Sequence, residues 1–497
     1  MAGPGYVLAI DQGTTSTRAM LFDAAGDIRH TAQRPLTQHY PRPGWVEHDP
    51  EEIWGGVVAV CREAIAAAQG IPIAAIGIAN QRETAILWHR ATGRPVHNAI
   101  VWQDRRTAAQ CERWSMQGLG GVVAERTGLV IDPYFSASKI RWLLDAQPGL
   151  RERAGAGEIA FGTIDSFLLW RLTGGRRHAS DVTNASRTML LDIGHLAWDD
   201  ELLGHFAIPP ELLPEIADTG ADYGSTMPEL FGDAIPIAAL AGDQQAALIG
   251  QGCLRPGMIK STYGTGAFAL LNTGADRPVS RHKMLTTIAY RLEGETAYAL
   301  EGSIFIAGAA VQWLRDRIGA IDTASASQQL AERADPRQRL YLVPGFAGLG
   351  APYWAPQARG ALIGLTAECG LAEIARATLE AVGYQTRDLV AAMMADCGLA
   401  VPVLRVDGGM AASDWAMQFI ADILPVEIER PQSVETTAWG AAYVAGLMRG
   451  IYPAPAAMSA QWHAARRFVP AMAAAEREER YRGWQRAVAG VLAAVPG

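Results

Sequence analysis

Apolar and polar positions along this chain fall into short runs bounded by turns, and the plan of those runs occurs twice. Tyr6 to Asp11, Ala19 to Asp23 and Asp27 to Gln33 read as a three-stranded meander with turns at Gly13 and Gly26. Pro50 to Ala68 carries Ile53, Val57, Val60 and Ile65 at helical spacing. Ile73 to Asn80 is an unbroken apolar strand of the kind buried on both faces of an α/β sheet. Ser136 to Asp145 and Asp165 to Leu172 predict helices that open on N-cap residue types, and Pro236 to Leu240 predicts a strand running into an apolar helix over Ala246 to Ile249. The second half predicts a meander from Met258 through Leu271 to Leu285–Tyr290 and Thr296–Glu301. Helices then follow at Phe305–Ile318, Leu371–Ala395, Trp415–Ile423 and Thr437–Met448, with a strand at Val403–Asp407.

Each meander turns on glycine and threonine. Asp11-Gln12-Gly13-Thr14-Thr15-Ser16-Thr17-Arg18 joins the first two strands, and Tyr263-Gly264-Thr265-Gly266 joins their counterparts in the second half. A strand, a tight Gly-Thr turn and a returning strand present backbone N–H groups and hydroxyls to an anion. Two such turns half a chain apart suit one polyphosphate gripped from both sides, so the chain reads as two lobes, residues 1–250 and 251–497, with ATP between them.

Composition narrows the picture. A chain of 497 residues is long for one domain, and 49% hydrophobic with 19% charged residues is the balance of a globular protein. A net charge of −8 and the lack of a basic run argue against a nucleic-acid partner. No apolar run reaches the ~18 residues of a membrane span, and the start shows no basic region followed by a long apolar stretch. The five cysteines are scattered without zinc spacing, which suits free thiols, and a cytoplasmic protein is expected. Lysine occurs only at 139, 260 and 283, and none sits in a P-loop or protein-kinase setting. Gly345 to Gly350 has its glycines in the wrong order for a dinucleotide fingerprint and reads as a loop between lobes.

Asp11, at a strand end before a phosphate-type turn, can hold Mg²⁺ that bridges nucleotide phosphates; alone it reads equally well as a turn cap. The matching position of the second turn is Thr262, so one half alone supplies that carboxylate. Asp243 opens a helix after a buried strand and is either a plain N-cap or a general base toward an alcohol. Arg82 and Glu83 follow the strand Ile73–Ala79. They are either a surface pair or a set of donors and acceptors for several hydroxyls, with Trp102, Tyr134 and Phe268 as an apolar wall.

These residues lie in segments whose order resembles the FGGY carbohydrate kinases over nearly the whole chain, and among them the members that phosphorylate glycerol. The segments are DQGTTSTR (11–18), GWVEHDP (44–50), NQRET (80–84), AIVWQDRR (99–106), GLVIDPYFSASK (128–139), TNASRTML (183–190), AGDQQAAL (241–248), TYGTGAF (262–268), GLGAPYW (348–354) and GALIGLT (360–366). The resemblance implies the actin-like (ribonuclease H-like) ATPase fold, with a mixed sheet flanked by helices in each lobe. It implies transfer of the ATP γ-phosphoryl to glycerol, giving sn-glycerol 3-phosphate. It assigns glycerol contacts to Arg82, Glu83, Tyr134, Asp243 and Gln244, with Trp102 and Phe268 as the wall and Asp243 as base. Nucleotide contacts fall on Thr14, Thr15, Ser16, Arg18, Thr265, Gly308, Gln312, Gly409 and Ser413, and Mg²⁺ on Asp11 and Asp243. A homodimer or homotetramer is left open. The alternatives are a related kinase acting on another polyol or sugar, or an actin-like nucleotide-binding scaffold without catalysis; retention of Asp11 and Asp243 argues against the scaffold.

The chain departs from the family pattern in three places. Ser413 stands where asparagine is usual in the adenosine motif, so an adenine contact is left unmade or bridged by water. The stretch Glu229 to Ile235 lacks the arginine of the loop that binds a sugar bisphosphate inhibitor in some bacterial members, and no histidine occurs between His205 and His282 to serve as a phosphorylation switch. Initial rates are therefore expected to be unchanged by millimolar sugar bisphosphate; strong inhibition would overturn this reading of residues 229–235.

Overall fold

A computed structural model describes residues 5–494. The strands assemble into two large mixed sheets. The first contains β1 (Tyr6–Gln12), β2 (Ser16–Phe22), β3 (Ile28–Pro35), β4 (Ile73–Asn80) and β5 (Ile237–Gly242), in the order β5-β4-β1-β2-β3. The second contains β6 (Ile259–Tyr263), β7 (Ala267–Gly274), β8 (Leu285–Leu292), β9 (Glu295–Ile304), β10 (Val403–Asp407), β11 (Glu427–Pro431) and β12 (Ala464–Phe468), in the order β8-β9-β7-β6-β10-β11-β12.

The two sheets share one plan. In the first, β1 pairs antiparallel with β2 and β2 with β3, while β4 and β5 lie parallel to β1. In the second, β6 pairs antiparallel with β7 and β7 with β9, while β10 and β11 lie parallel to β6. The meander expected along 258–301 is thus corrected. β8 does not follow β7 in space; it adds outside β9, and β9 is the counterpart of β3. The free edge of β8 is taken by the first half, where Thr286 N donates to Gly128 O at 2.9 Å.

Six helices position the site: α1 (Pro50–Ala67), α2 (Asp243–Gly250), α3 (Gly308–Asp316), α4 (Leu371–Cys397), α5 (Asp414–Ile423) and α6 (Thr436–Met448). Local chemistry sets several ends. Asp49 caps α1 by accepting from Glu51 N, with Pro50 at the first helical position. Glu373 accepts from Gly370 N at the start of α4, and Gly398 closes it in the left-handed region. The Gly345–Gly350 segment lies within the second half, between strands Tyr341–Val343 and Ala361–Ile363, and does not connect the lobes.

α2 and α6 interlock the halves. α6, from the second half, packs beneath β1, β4 and β5 of the first sheet, while α2 packs against β6, β7 and β8 of the second. Where they cross, a Cβ placed on Gly440 would stand 1.8 Å from Ala246 O, and one on Gly250 would stand 2.0 Å from Thr436 O. The contact is backbone on backbone and reciprocal. Gly77 of β4 makes a third such approach, its Cβ position being 2.2 Å from Ala441 O.

No rotamer relieves a clash with backbone, so Gly440→Val is expected to destabilise at or above the upper end of the ~1–3 kcal/mol typical of overpacking. Gly55 in α1 has nothing within 4 Å of its Cβ position, and Gly55→Ala should stabilise by up to about 1 kcal/mol. Thermal melts of both variants check the pair; equal effects would remove the special standing of the crossing.

Candidate active site between the two sheets

Asp243 is the first residue of α2, and its side chain reaches the end of β4. Its Oδ1 lies 3.3 Å from Arg82 Nε and accepts from Gln244 N at 2.7 Å. Burial raises the Asp243 pKa, opposed by Arg82 and then Lys260, which suits a group that must take up a proton. Asp11 sits at the end of β1. Burial pushes its pKa up to about 7, with Arg18 opposing and both Asp243 and Glu435 adding. The two carboxylates therefore feel one another across the mouth of the cleft.

Arg82 is buried and holds Glu301 of β9 with two hydrogen bonds, Nη1 to Oε2 at 2.6 Å and Nη2 to Oε1 at 3.0 Å. The same Oε1 accepts from Arg187 Nη2 at 3.0 Å, and Arg187 Nε donates to Glu83 Oε1 at 2.7 Å. Glu83 has φ +61°, a conformation that costs a non-glycine residue ~1–3 kcal/mol. Ser136 helps hold this backbone by donating to Glu83 O at 3.0 Å. Burial tends to raise the Glu301 pKa, but Arg187 and Arg82 outweigh it and hold the carboxyl at about 2. Glu301 is therefore ionised at any working pH.

The three expected wall residues meet. The Trp102 ring lies edge-on to Tyr134 at 5.7 Å and to Phe268 at 6.0 Å, Phe268 coming from β7 of the second sheet. Trp102 Nε1 donates to Thr14 Oγ1 at 2.9 Å, tying the wall to the first turn. Gln81 braces that turn from behind, its Nε2 donating to Gly13 O at 3.0 Å. Thr15 is exposed and Ser16 half-buried at the same turn, and Arg18 pairs with Glu435 of the opposite half at 2.7 Å.

The second turn is pinned to α3. Gly308 N donates to Gly264 O at 3.0 Å, and Ala307 N and Ala309 N donate to Thr265 O. A Cβ on Gly308 would meet Gly264 O at 2.6 Å, which accounts for glycine there. Gln312 on α3 and Gly409 after β10 are exposed. Ser413 is already engaged: its Oγ donates to Gln328 Oε1 at 3.0 Å and accepts from Ala416 N, capping α5. Neither Gln312 nor Gly409 nor Ser413 has a hydrogen bond to the Arg82–Glu83 cluster among the described residues.

Three site residues were missed by sequence reasoning. Arg187 lies in a segment singled out above but carries no local sign of its role, and Glu301 reads as an ordinary strand residue. Lys260 of β6 donates to Gln244 Oε1 and, at 2.9 Å, to Thr262 Oγ1; burial lowers its pKa to about 8. A lysine thus does stand in the cleft, outside any lysine motif.

The family model for the N-terminal domain of FGGY carbohydrate kinases matches residues 6–250, and that for the C-terminal domain matches residues 259–448. The chain belongs to the FGGY family of carbohydrate kinases. It is 59% identical to a glycerol kinase of Methylobacterium nodulans over 491 residues, covering 98% of each chain. It is 58% identical to a glycerol kinase of Bradyrhizobium sp. strain ORS 278, covering 99% of each. Among solved structures, Plasmodium falciparum glycerol kinase with ADP superposes with a TM-score of 0.93 at 36% identity, covering 98% of each chain. A ligand-bound xylulose kinase from Lactobacillus acidophilus has a TM-score of 0.89 at 22% identity, a likeness of fold alone.

If Asp243 takes the proton in this FGGY kinase, Asp243→Asn should lower kcat about 10²–10⁴-fold. ADP affinity, measured by calorimetry, should stay near wild type. Near-normal turnover would remove Asp243 as the base.

Proposed function

We propose that this chain transfers the γ-phosphoryl group of ATP to the 3-hydroxyl of glycerol, giving sn-glycerol 3-phosphate and ADP. The observation that carries the reading is the juxtaposition at Asp243. A buried guanidinium 3.3 Å from that partly exposed carboxylate, the buried carboxylate of Glu83 and three aromatic rings offer donors, acceptors and an apolar wall to a small triol. The glycerol kinases to which the chain is similar at 57–59% identity support the same substrate.

Arg82, Glu83, Tyr134 and Gln244 orient the triol, and the Lys260 ammonium occupies the Gln244 carbonyl so that its amide N–H₂ stays a donor. Trp102 and Phe268 lie against the carbon chain. Asp243 accepts the hydroxyl proton as the bond to phosphorus forms, and the Gly-Thr turns at Gly13 and Gly264 donate to phosphoryl oxygens as charge develops. In-line alignment held this way supplies most of the rate, since phosphoryl transfer asks little else of the protein.

Asp11 and Asp243 fit a magnesium ion. Mg²⁺ takes one or two carboxylates and completes its shell with phosphates and water, and the two carboxylates are near enough that the Asp243 charge helps raise the Asp11 pKa. When bound, the ion would neutralise charge on the β- and γ-phosphates. We place the enzyme in the cytoplasm, in keeping with its five unpaired cysteines.

ADP release should be fast with glycerol and weak with dihydroxyacetone, erythritol, xylulose, ribulose and gluconate, and chelation of Mg²⁺ should stop it. Faster turnover on a sugar would keep the ATP site and overturn the substrate. Binding of ATP without turnover on any of them would revive a nucleotide-binding scaffold.

A further inference from the structure

Arg82, Glu301, Arg187 and Glu83 close into a ring of alternating charge. Arg82 binds both oxygens of Glu301, Glu301 Oε1 is shared with Arg187, Arg187 binds Glu83, and Glu83 follows Arg82 in the chain. All four side chains are buried, Arg187 and Glu301 completely. The charges balance two against two within the ring. Three members come from the first half, and Glu301 alone comes from β9 of the second. Arg187 is held over the aromatic wall, its guanidinium carbon 5.5 Å from the Tyr134 ring and 5.3 Å from Phe135. Its Nη1 is buried without a hydrogen-bond partner among the described residues, so packing and the two carboxylates fix the group.

We propose that the Arg187–Glu301 pair is a positioning unit for the polyol site. Glu301 sets the orientation of Arg82 and Arg187 that of Glu83, and the two halves of the protein must be engaged for the substrate-binding pair to be formed. The proposal rests on the glycerol reading above. Arg82 and Glu83 have alternative rotamers once their partners are gone, and Arg82 is the neighbour of Asp243. Loss of the pair therefore misplaces both the triol and its hydroxyl relative to the base. Among the described residues neither Arg187 nor Glu301 is hydrogen-bonded to the two Gly-Thr turns, so nucleotide binding is spared.

The test compares Arg187→Gln, Glu301→Gln and the double variant Arg187→Gln/Glu301→Gln with wild type. Each single change leaves one buried charge unbalanced and should lower the melting temperature; the double change rebalances the ring and should recover most of that loss. The glycerol defect should not recover. In the double variant KM for glycerol should rise at least tenfold and kcat/KM fall about 10²-fold, the scale of a displaced reactive geometry. ADP affinity by calorimetry should stay within about threefold of wild type. Recovery of glycerol KM together with melting temperature would reduce the pair to a structural ion pair and overturn the proposal. Loss of ADP affinity in step with glycerol would overturn it as well. A wild-type enzyme that ignores glycerol but turns over another polyol would instead sink the substrate assignment.

Discussion

The crossing of α2 and α6 at Gly250 and Gly440 is the constraint on which the other features depend. Two helices whose backbones touch cannot slide, because a shift by one residue would bring a side chain against a carbonyl. Their N-termini are thereby fixed as well. Asp243 opens α2, and Glu435, at the residue before α6, reaches Arg18. The partial positive charge of both helix starts is directed at the cleft, where phosphate is to be handled. One packing contact thus sets Asp243, the turn at Gly13 and the separation of the two sheets.

Within that frame the side of the cleft around Arg82 and Glu83 is built from charge. Burying four ionised groups is expensive, and replacing such a network by apolar residues of similar volume often leaves stability unchanged or improved. Its presence is therefore weak evidence for stability and better evidence for orientation. Guanidinium forks bind carboxylates in a fixed plane, which a hydrophobic contact cannot do. The left-handed backbone at Glu83 points the same way: a strained residue persists where its surroundings over-determine it, here through Arg187 and the Ser136 hydroxyl.

Much of this was legible in the sequence, and the exceptions share a cause. β1 to β3, α1 and β4 follow from local alternation and spacing, and their observed bounds differ from the expected ones by a few residues at most. Trp102, Tyr134 and Phe268 lie in motif segments, and the fold brings their rings into contact. β8 was placed wrongly because consecutive strands are usually neighbours in space, a tendency that an inserted edge strand defeats. Arg187 and Glu301 were invisible for a similar reason. Their decisive partners lie 104 and 219 positions away in the chain, and no local pattern encodes a bond of that range. Ser413 was read only as an altered nucleotide contact, whereas its hydroxyl also caps α5, a role that any serine before a helix can fill.

Two of the ion pairs that join the halves, Arg18–Glu435 and Arg82–Glu301, differ in exposure. Arg18 and Glu435 leave 30% and 34% of their side chains exposed, and pairs so placed are worth about 0–1 kcal/mol. A more highly charged anion reaching the first turn would offer Arg18 an alternative partner, so this contact can exchange one anion for another at little cost. Arg82 and Glu301 are 2% and 0% exposed, and separating them would leave charges buried without partners, at about 3–5 kcal/mol. The cleft thus has one edge held by a replaceable contact and one held by a contact that is not replaceable. The first can open and close at little cost, while the second keeps Arg82 in place.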